Sequence, residues 1–169
     1  EAISGGQCVF RGVLKDASAL GRTLPEIQRA ILNTAVPELY PKLEMGACAL
    51  GGDEAQLVLR SANLSGLPSV FYDGRGGLGL VTRTGNRYQP NPSAPIAVEM
   101  LGFVDSQTRY GEIVTGRMIE KRFSGIEYGW DRDVMKMTLA VLLRAGAIEV
   151  VYQDRRYIDN TDPGVIDPF

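Results

Sequence analysis

Five cations in the second half of the chain could act on a polyanion. They are Arg117, Lys121 and Arg122 in GRMIEKRF, and Arg155 and Arg156 in YQDRRY. Arg117 and Lys121 are four residues apart and share one face of a helix, while an arginine pair in a hairpin can reach phosphates or a minor groove. Such contacts hold a duplex without reading its sequence. Glu120 and Asp154 lie within the two groups and dilute them.

Other chemistry finds no support. The run Gly74-Arg75-Gly76-Gly77-Leu78-Gly79-Leu80-Val81 fits both the dinucleotide and the kinase glycine patterns. A dinucleotide loop must open a helix so that pyrophosphate meets its N-terminus, and the strand-like LVTRTG follows instead. The lysine, H-R-D and D-F-G elements of a kinase are missing, as is a P-loop. The glycines are expected to form a connection between strands. Asp131 and Asp133 read as helix-capping carboxylates rather than an acid–base pair. Asp159, Asp162 and Asp167 lack calcium-loop spacing and are expected to be solvated tail residues. Asn63-Leu64-Ser65 is a glycosylation sequon without a secretory signal beside it. Histidine is absent, which excludes Ser-His-Asp and Cys-His catalysis and histidine-ligated metals. No catalytic residue, cofactor-binding residue, cofactor, metal ligand or small-molecule substrate is assigned.

The 169 residues carry a formal net charge of -2, so bulk electrostatics selects no partner. The longest apolar run, Leu139 to Leu143, is far short of a membrane span, and no partner membrane is expected. A cytoplasmic location follows as the expectation. Cys8 and Cys48 could form one disulfide, but free buried thiols in a reducing compartment are expected. The chain starts at Glu1 and stops after the loop-like DNTDPGVIDPF, so it is expected to be a piece of a longer polypeptide.

The elements that must position the five cations can be read in order. QCVFRGVL reads as one strand. Thr23 and Glu26 form a capping box for a helix with Leu24, Ile27, Ile31 and Ala35 on one stripe. Pro37 should end or kink it at Val36, with Leu39, Tyr40 and Leu43 turned inward beyond. Asp53 opens a helix that carries Leu57, Val58 and Leu64 and closes at Ser65-Gly66-Leu67-Pro68. SVFYD and LGLVTRTGNRYQ read as β, with a tight turn at Thr84-Gly85-Asn86-Arg87. Pro90, Pro92 and Pro95 mark a module boundary.

After that boundary, APIAVEMLGFVDSQ reads as a helix with Ile96, Met100, Phe103 and Val104 on one face. Ile113-Val114 reads as a short strand. Thr115 caps a second helix with Met118, Ile119 and Phe123 inward, broken at Ser124-Gly125. Asp131 caps a third, with Trp130 stapled onto Met135, and Ala145-Gly146 ends it. IEVVY and RRYI form a hairpin around Gln153-Asp154. The order is helix-turn-helix plus wing. The fold class is therefore α+β: a small mixed α/β module at residues 1–90, a winged helix-turn-helix module at 91–160, and a tail at 161–169.

A helix that reads DNA offers polar side chains to base edges. DRDVMKMTLAVLLRAG offers only Arg132, Lys136 and Arg144 among seven large apolar residues that need burial. Between Ala94 and Ile158 nine basic residues meet nine acidic ones, whereas DNA binders show a basic face.

The blocks TLPEIQRAI, VPELYPKLE, SANLSGLPSVFYDG, APIAVEML, YGEIVTGRMIEKRF and YGWDRDVMKMTLAVLLRAGAIEVVYQDRRY, in that order, resemble part of the large P-loop ATPases of bacterial BREX phage-defence systems, the BrxC and PglY type. The resemblance runs from about Phe10 to Tyr157. It implies a non-catalytic region of a multidomain ATPase whose nucleotide-binding motifs are not in this sequence. The expectation is a binding and assembly module that contacts other subunits or domains of a larger complex. The alternative is a winged helix that makes phosphate contacts to duplex DNA through Arg117, Lys121, Arg122, Arg155 and Arg156.

Overall fold

The computed structural model describes residues 5–169, so the first four positions of the expected 1–90 module lie outside the described residues. Strands β1 (Gln7–Phe10) and β2 (Val13–Asp16) pair antiparallel, followed by helices α1 (Ala17–Leu20) and α2 (Leu24–Leu39). The expected single strand across QCVFRGVL is thus a hairpin. Arg11 and Gly12 take φ of 50° and 79°, the left-handed geometry of a two-residue turn that matches strand twist.

The Thr23–Glu26 capping box forms as read: the Thr23 hydroxyl accepts from the Glu26 amide, and the Glu26 carboxylate accepts from the Thr23 amide. Pro37, however, does not end α2 at Val36. The helix continues to Leu39, and the Tyr40 amide still donates to the Val36 carbonyl at 2.8 Å. Proline sits in the last turn, where the one helical bond it removes would have gone to Asn33, an exposed residue.

Helix α3 spans Glu54–Arg60 and is shorter than expected, because Leu64 belongs to a separate 3-10 turn, Leu64–Gly66. The Glu54 carboxylate ties down the loop before α3, accepting from the amides of Gly51 and Gly52 at 2.6 and 2.9 Å; Asp53 makes no side-chain cap. Within the expected strand SVFYD, Ser69–Phe71 is another 3-10 turn. Strands β3 (Val81–Thr84) and β4 (Arg87–Pro90) pair in the register Thr84↔Arg87 around Gly85-Asn86, as the turn signal required.

Helices α4 (Pro95–Arg109), α5 (Gly116–Phe123) and α6 (Arg132–Arg144) follow, then strands β5 (Val150–Tyr152) and β6 (Arg155–Tyr157). Ile113-Val114 forms no strand: Ile113 is 83% exposed, and its segment pairs with nothing among the described residues. The wing is therefore a two-stranded hairpin. The fold is α+β, with three separate antiparallel hairpins around a helical centre.

That centre is α6. Eight of its thirteen residues are buried, Val134, Met135, Met137, Thr138 and Ala140 to Leu143. Its most extensive neighbour is α3, and α4 and α5 pack beside it. One apolar cluster joins Val58, Leu59 and Phe71 to Ile96, Met100, Phe123, Trp130 and the α6 residues, and so runs through the Pro90–Pro95 region without interruption. The last residues belong to it as well. Val165 is buried, and the Asn160 side chain donates to the Leu59 carbonyl at 3.1 Å. Asp162, expected to be a solvated tail residue, pairs with Arg155 and ties this segment to the wing, while Asp167 is exposed as read.

Candidate nucleic-acid interface and wing

The Thr115 hydroxyl accepts from the Met118 amide and starts α5, which turns Ile119 and Phe123 into the core. The remaining face carries Arg117 and Lys121, both exposed, and neither forms an ion pair among the described residues. Arg122 lies one position on and behaves differently. It donates to Glu127 at 2.9 Å and to the Tyr128 hydroxyl at 3.4 Å, and its guanidinium lies 4.9 Å from the Tyr128 ring centre.

Arg122 belongs to a polar cluster that the sequence reading did not identify. Lys42 donates to both Glu99 oxygens at 3.0 Å and to the Tyr128 hydroxyl at 3.2 Å, and it also pairs with Glu127. The Tyr128 hydroxyl in turn donates to Glu99 at 2.7 Å. Glu99 holds Lys42 above its ordinary ammonium value. Burial alone would raise Glu99, but hydrogen bonds from Tyr128 and Lys42 prevail and hold its carboxyl below the ordinary range. Burial, then Glu99, pushes Tyr128 up. Lys42, Glu99, Arg122 and Tyr128 line an open groove of about 450 Å³ together with Val98, Gly102 and Phe103. Every charged group is already partnered there, so the cluster joins the segment around Lys42 to α4 and α5 instead of presenting a charge.

The wing separates its two arginines by face. Cross-strand partners Val151↔Arg156 and Val150↔Tyr157 place Val151 and Arg156 on one face, Val150 and Tyr157 on the other. Tyr157 is buried, so Arg155, whose partner is Tyr152, shares the inward face. Arg155 donates to both oxygens of Asp162 at 2.9 and 2.8 Å and lies over the Tyr157 ring. It pins the C-terminal residues to the wing. Arg156 faces outward and is closed by a fork-to-fork pair with Glu149, at 2.8 and 2.6 Å. The tip, Gln153 and Asp154, has φ of 49° and 61°, the type I′ geometry that closes a two-residue hairpin.

The five predicted cations are therefore not one patch in chemical terms. Arg117 and Lys121 are open, whereas Arg122, Arg155 and Arg156 are each held by a carboxylate. The helix that would enter a major groove is α6, and eight of its thirteen residues are buried in the core. Its N-cap is as read, with the Asp131 carboxylate accepting from the Asp133 amide. Its C-terminus is a Schellman motif: the Gly146 amide donates to Leu143, the Ala147 amide to Leu142, and Gly146 has φ of 68°.

The glycine run is no phosphate cradle. The amides of Gly77, Leu78 and Gly79 donate to the carbonyls of Gly74, Val70 and Tyr72, so they point into the loop's own backbone. A Cβ on Gly77 would collide with the Tyr72 carbonyl, which accounts for glycine there. The run joins a 3-10 turn to β3, not two strands as expected. Cys8 and Cys48 are free and half-buried. No group of metal-ligating side chains and no membrane-length apolar helix occurs among the described residues.

Comparison with known families agrees with this architecture. The model of the BREX ATP-binding protein BrxC winged helix-turn-helix domain matches residues 80–169, more than half of the chain. No curated protein and no solved structure matches. The matched span contains α4, α5, α6 and the wing, the elements that make the helix-turn-helix. The chain belongs to the BrxC winged helix-turn-helix family of BREX ATP-binding proteins.

Proposed function

We propose that this chain is a protein-docking module of a BREX ATP-binding protein, and that its winged helix serves assembly instead of sequence reading. The observation that carries this reading is the burial of α6: the helix that would read bases has eight of its thirteen residues in the core. The wing supports it. Val151 on the outward face and Ile158 just beyond β6 are 69% and 57% exposed, and Val151 lies opposite Arg156 of the neutralised Arg156–Glu149 pair, a surface suited to an apolar partner. From Glu149 to Asp162 four acids outnumber two arginines, which opposes contact with phosphate.

The test has two arms. Calorimetric titration of the chain against the ATP-binding remainder of its parent protein should give saturable binding that Val151→Glu/Ile158→Glu abolishes. Anisotropy of a labelled duplex should show no saturable binding at physiological salt. Duplex binding there that Arg117→Ala/Lys121→Ala removes would overturn the reading. It would favour phosphate contact through the two open cations of α5 instead.

A further inference from the structure

Glu149 and Asp162 each hold one wing arginine, but they do so on opposite faces of the hairpin. Arg155 is turned inward, against Tyr157 and the folded-back C-terminal residues, so its guanidinium has a structural task. Arg156 touches only Glu149 among its charged neighbours and lies on the outward face with its side chain 65% exposed. One bidentate edge of the guanidinium, Nε and Nη2, is filled by the two oxygens of Glu149. Glu149 itself is 49% exposed in its side chain and makes no hydrogen bond to another side chain among the described residues. An exposed pair of this kind contributes little to stability. Its main physical effect is on charge: it cancels the wing cation on the outward face of the hairpin.

We infer that Glu149 is a charge gate on the outward face of the wing, which keeps Arg156 from the phosphate backbone of a nucleic acid, and that Asp162 has no such role. This inference rests on the proposed docking function, which expects the wing to hold no duplex at physiological salt. Removing the Glu149 charge leaves Arg156 with an empty or neutral partner and adds one net positive charge to the face. One additional phosphate contact steepens the dependence of log affinity on log salt by about 0.9. Between 50 and 200 mM salt that corresponds to an additional loss of about 3.5-fold in affinity.

The experiment compares the unaltered chain with Glu149→Gln, Glu149→Ala, Asp162→Asn and Glu149→Gln/Arg156→Ala, using anisotropy of a labelled duplex from low to physiological salt. Circular dichroism confirms the fold of each. Both Glu149 variants should bind more tightly at low salt with the steeper slope, and Arg156→Ala should reverse the gain. Asp162→Asn should leave DNA binding unchanged while lowering thermal stability. Equal affinity and slope for the unaltered chain and the Glu149 variants would overturn the gate. So would a gain that survives Arg156→Ala. Tight duplex binding by the unaltered chain at physiological salt sinks the docking function alone, so the two failures are distinguishable.

Discussion

Arg144, the last residue of α6, donates through Nη1 to the carbonyl oxygens of Val58 and Ser61 at the end of α3. One guanidinium thereby occupies carbonyls that a helix C-terminus leaves without partners, and its charge favours the negative end of the helix dipole. Burial pulls the Arg144 pKa below its ordinary value, yet arginine remains charged at any physiological pH. Arg144→Ala leaves partly buried carbonyls unpaired and should destabilise the chain by about 2 kcal/mol. Arg132→Ala, on an exposed position of the same helix, should stay within about 0.5 kcal/mol. Urea unfolding followed by circular dichroism distinguishes the two.

The same contact bears on where the folding unit begins. The family match starts at residue 80, but α3 and its buried Val58 and Leu59 precede it and form the largest part of the surroundings of α6. A fragment of residues 80–169 would bare that side of α6, and its unfolding should lose cooperativity or shift well below that of a 50–169 fragment. Thermal melts of both fragments provide the check; a superimposable melt for the shorter one would show that α3 is dispensable.

Gly46 is buried against the Trp130 ring. A Cβ there would lie 2.7 Å from Trp130 Cδ1 and 2.8 Å from Cγ, and the ring has no room to retreat because it stacks on Phe123 at 4.9 Å. Gly46→Ala should therefore destabilise by about 1–3 kcal/mol as overpacking. Gly66→Ala, with open space around it, is the matched control. Denaturant midpoints for the two variants measure the difference.

The Lys42–Glu99–Tyr128 cluster predicts how stability varies with pH. Glu99 and Glu54 have folded pKa values below their ordinary 4.5; in both, burial opposes the shift and hydrogen bonds outweigh it. Their contributions are present above that value and disappear as pH falls through the lowered one. Lys42 and Tyr128 are raised, so their contributions are present below 10.5 and 10.0 and disappear as pH rises through the higher folded values. Glu99→Gln should flatten both the acid and the alkaline limbs of the stability profile. Lys42→Met should flatten the alkaline limb and leave the Glu54 part of the acid limb intact. Denaturant midpoints measured across pH test both expectations.

Local signals were legible in the sequence where a side chain satisfies a backbone group within a few residues. Thr23 with Glu26, Thr115, Asp131 and Gly146 all act as read, because a cap depends only on its own turn. Ile113-Val114 has strand-forming residues but no neighbouring strand, and propensity alone cannot supply one. The hairpin in QCVFRGVL reads as one strand because Arg11-Gly12 stands inside an apolar run; the glycine is the available sign of the turn. The wing alternation also offered a sign, since counting outward from Gln153-Asp154 puts Arg155 and Arg156 on opposite faces. Lys42, Glu99 and Tyr128 meet across 57 and 86 residues, and no local pattern encodes such a meeting.

The sequence contains one tryptophan, and Trp130 sits where the segment around Lys42 meets α5 and α6. Its indole N–H donates to the Lys42 carbonyl at 2.9 Å while its ring lies parallel to Phe123 within 4°. Emission from the whole chain at long excitation wavelengths therefore comes from this single joint. A shift of that emission to the red on adding a partner would report opening of the joint, and an unchanged spectrum would place docking elsewhere on the surface. The chain carries its own optical probe, with no label to perturb it.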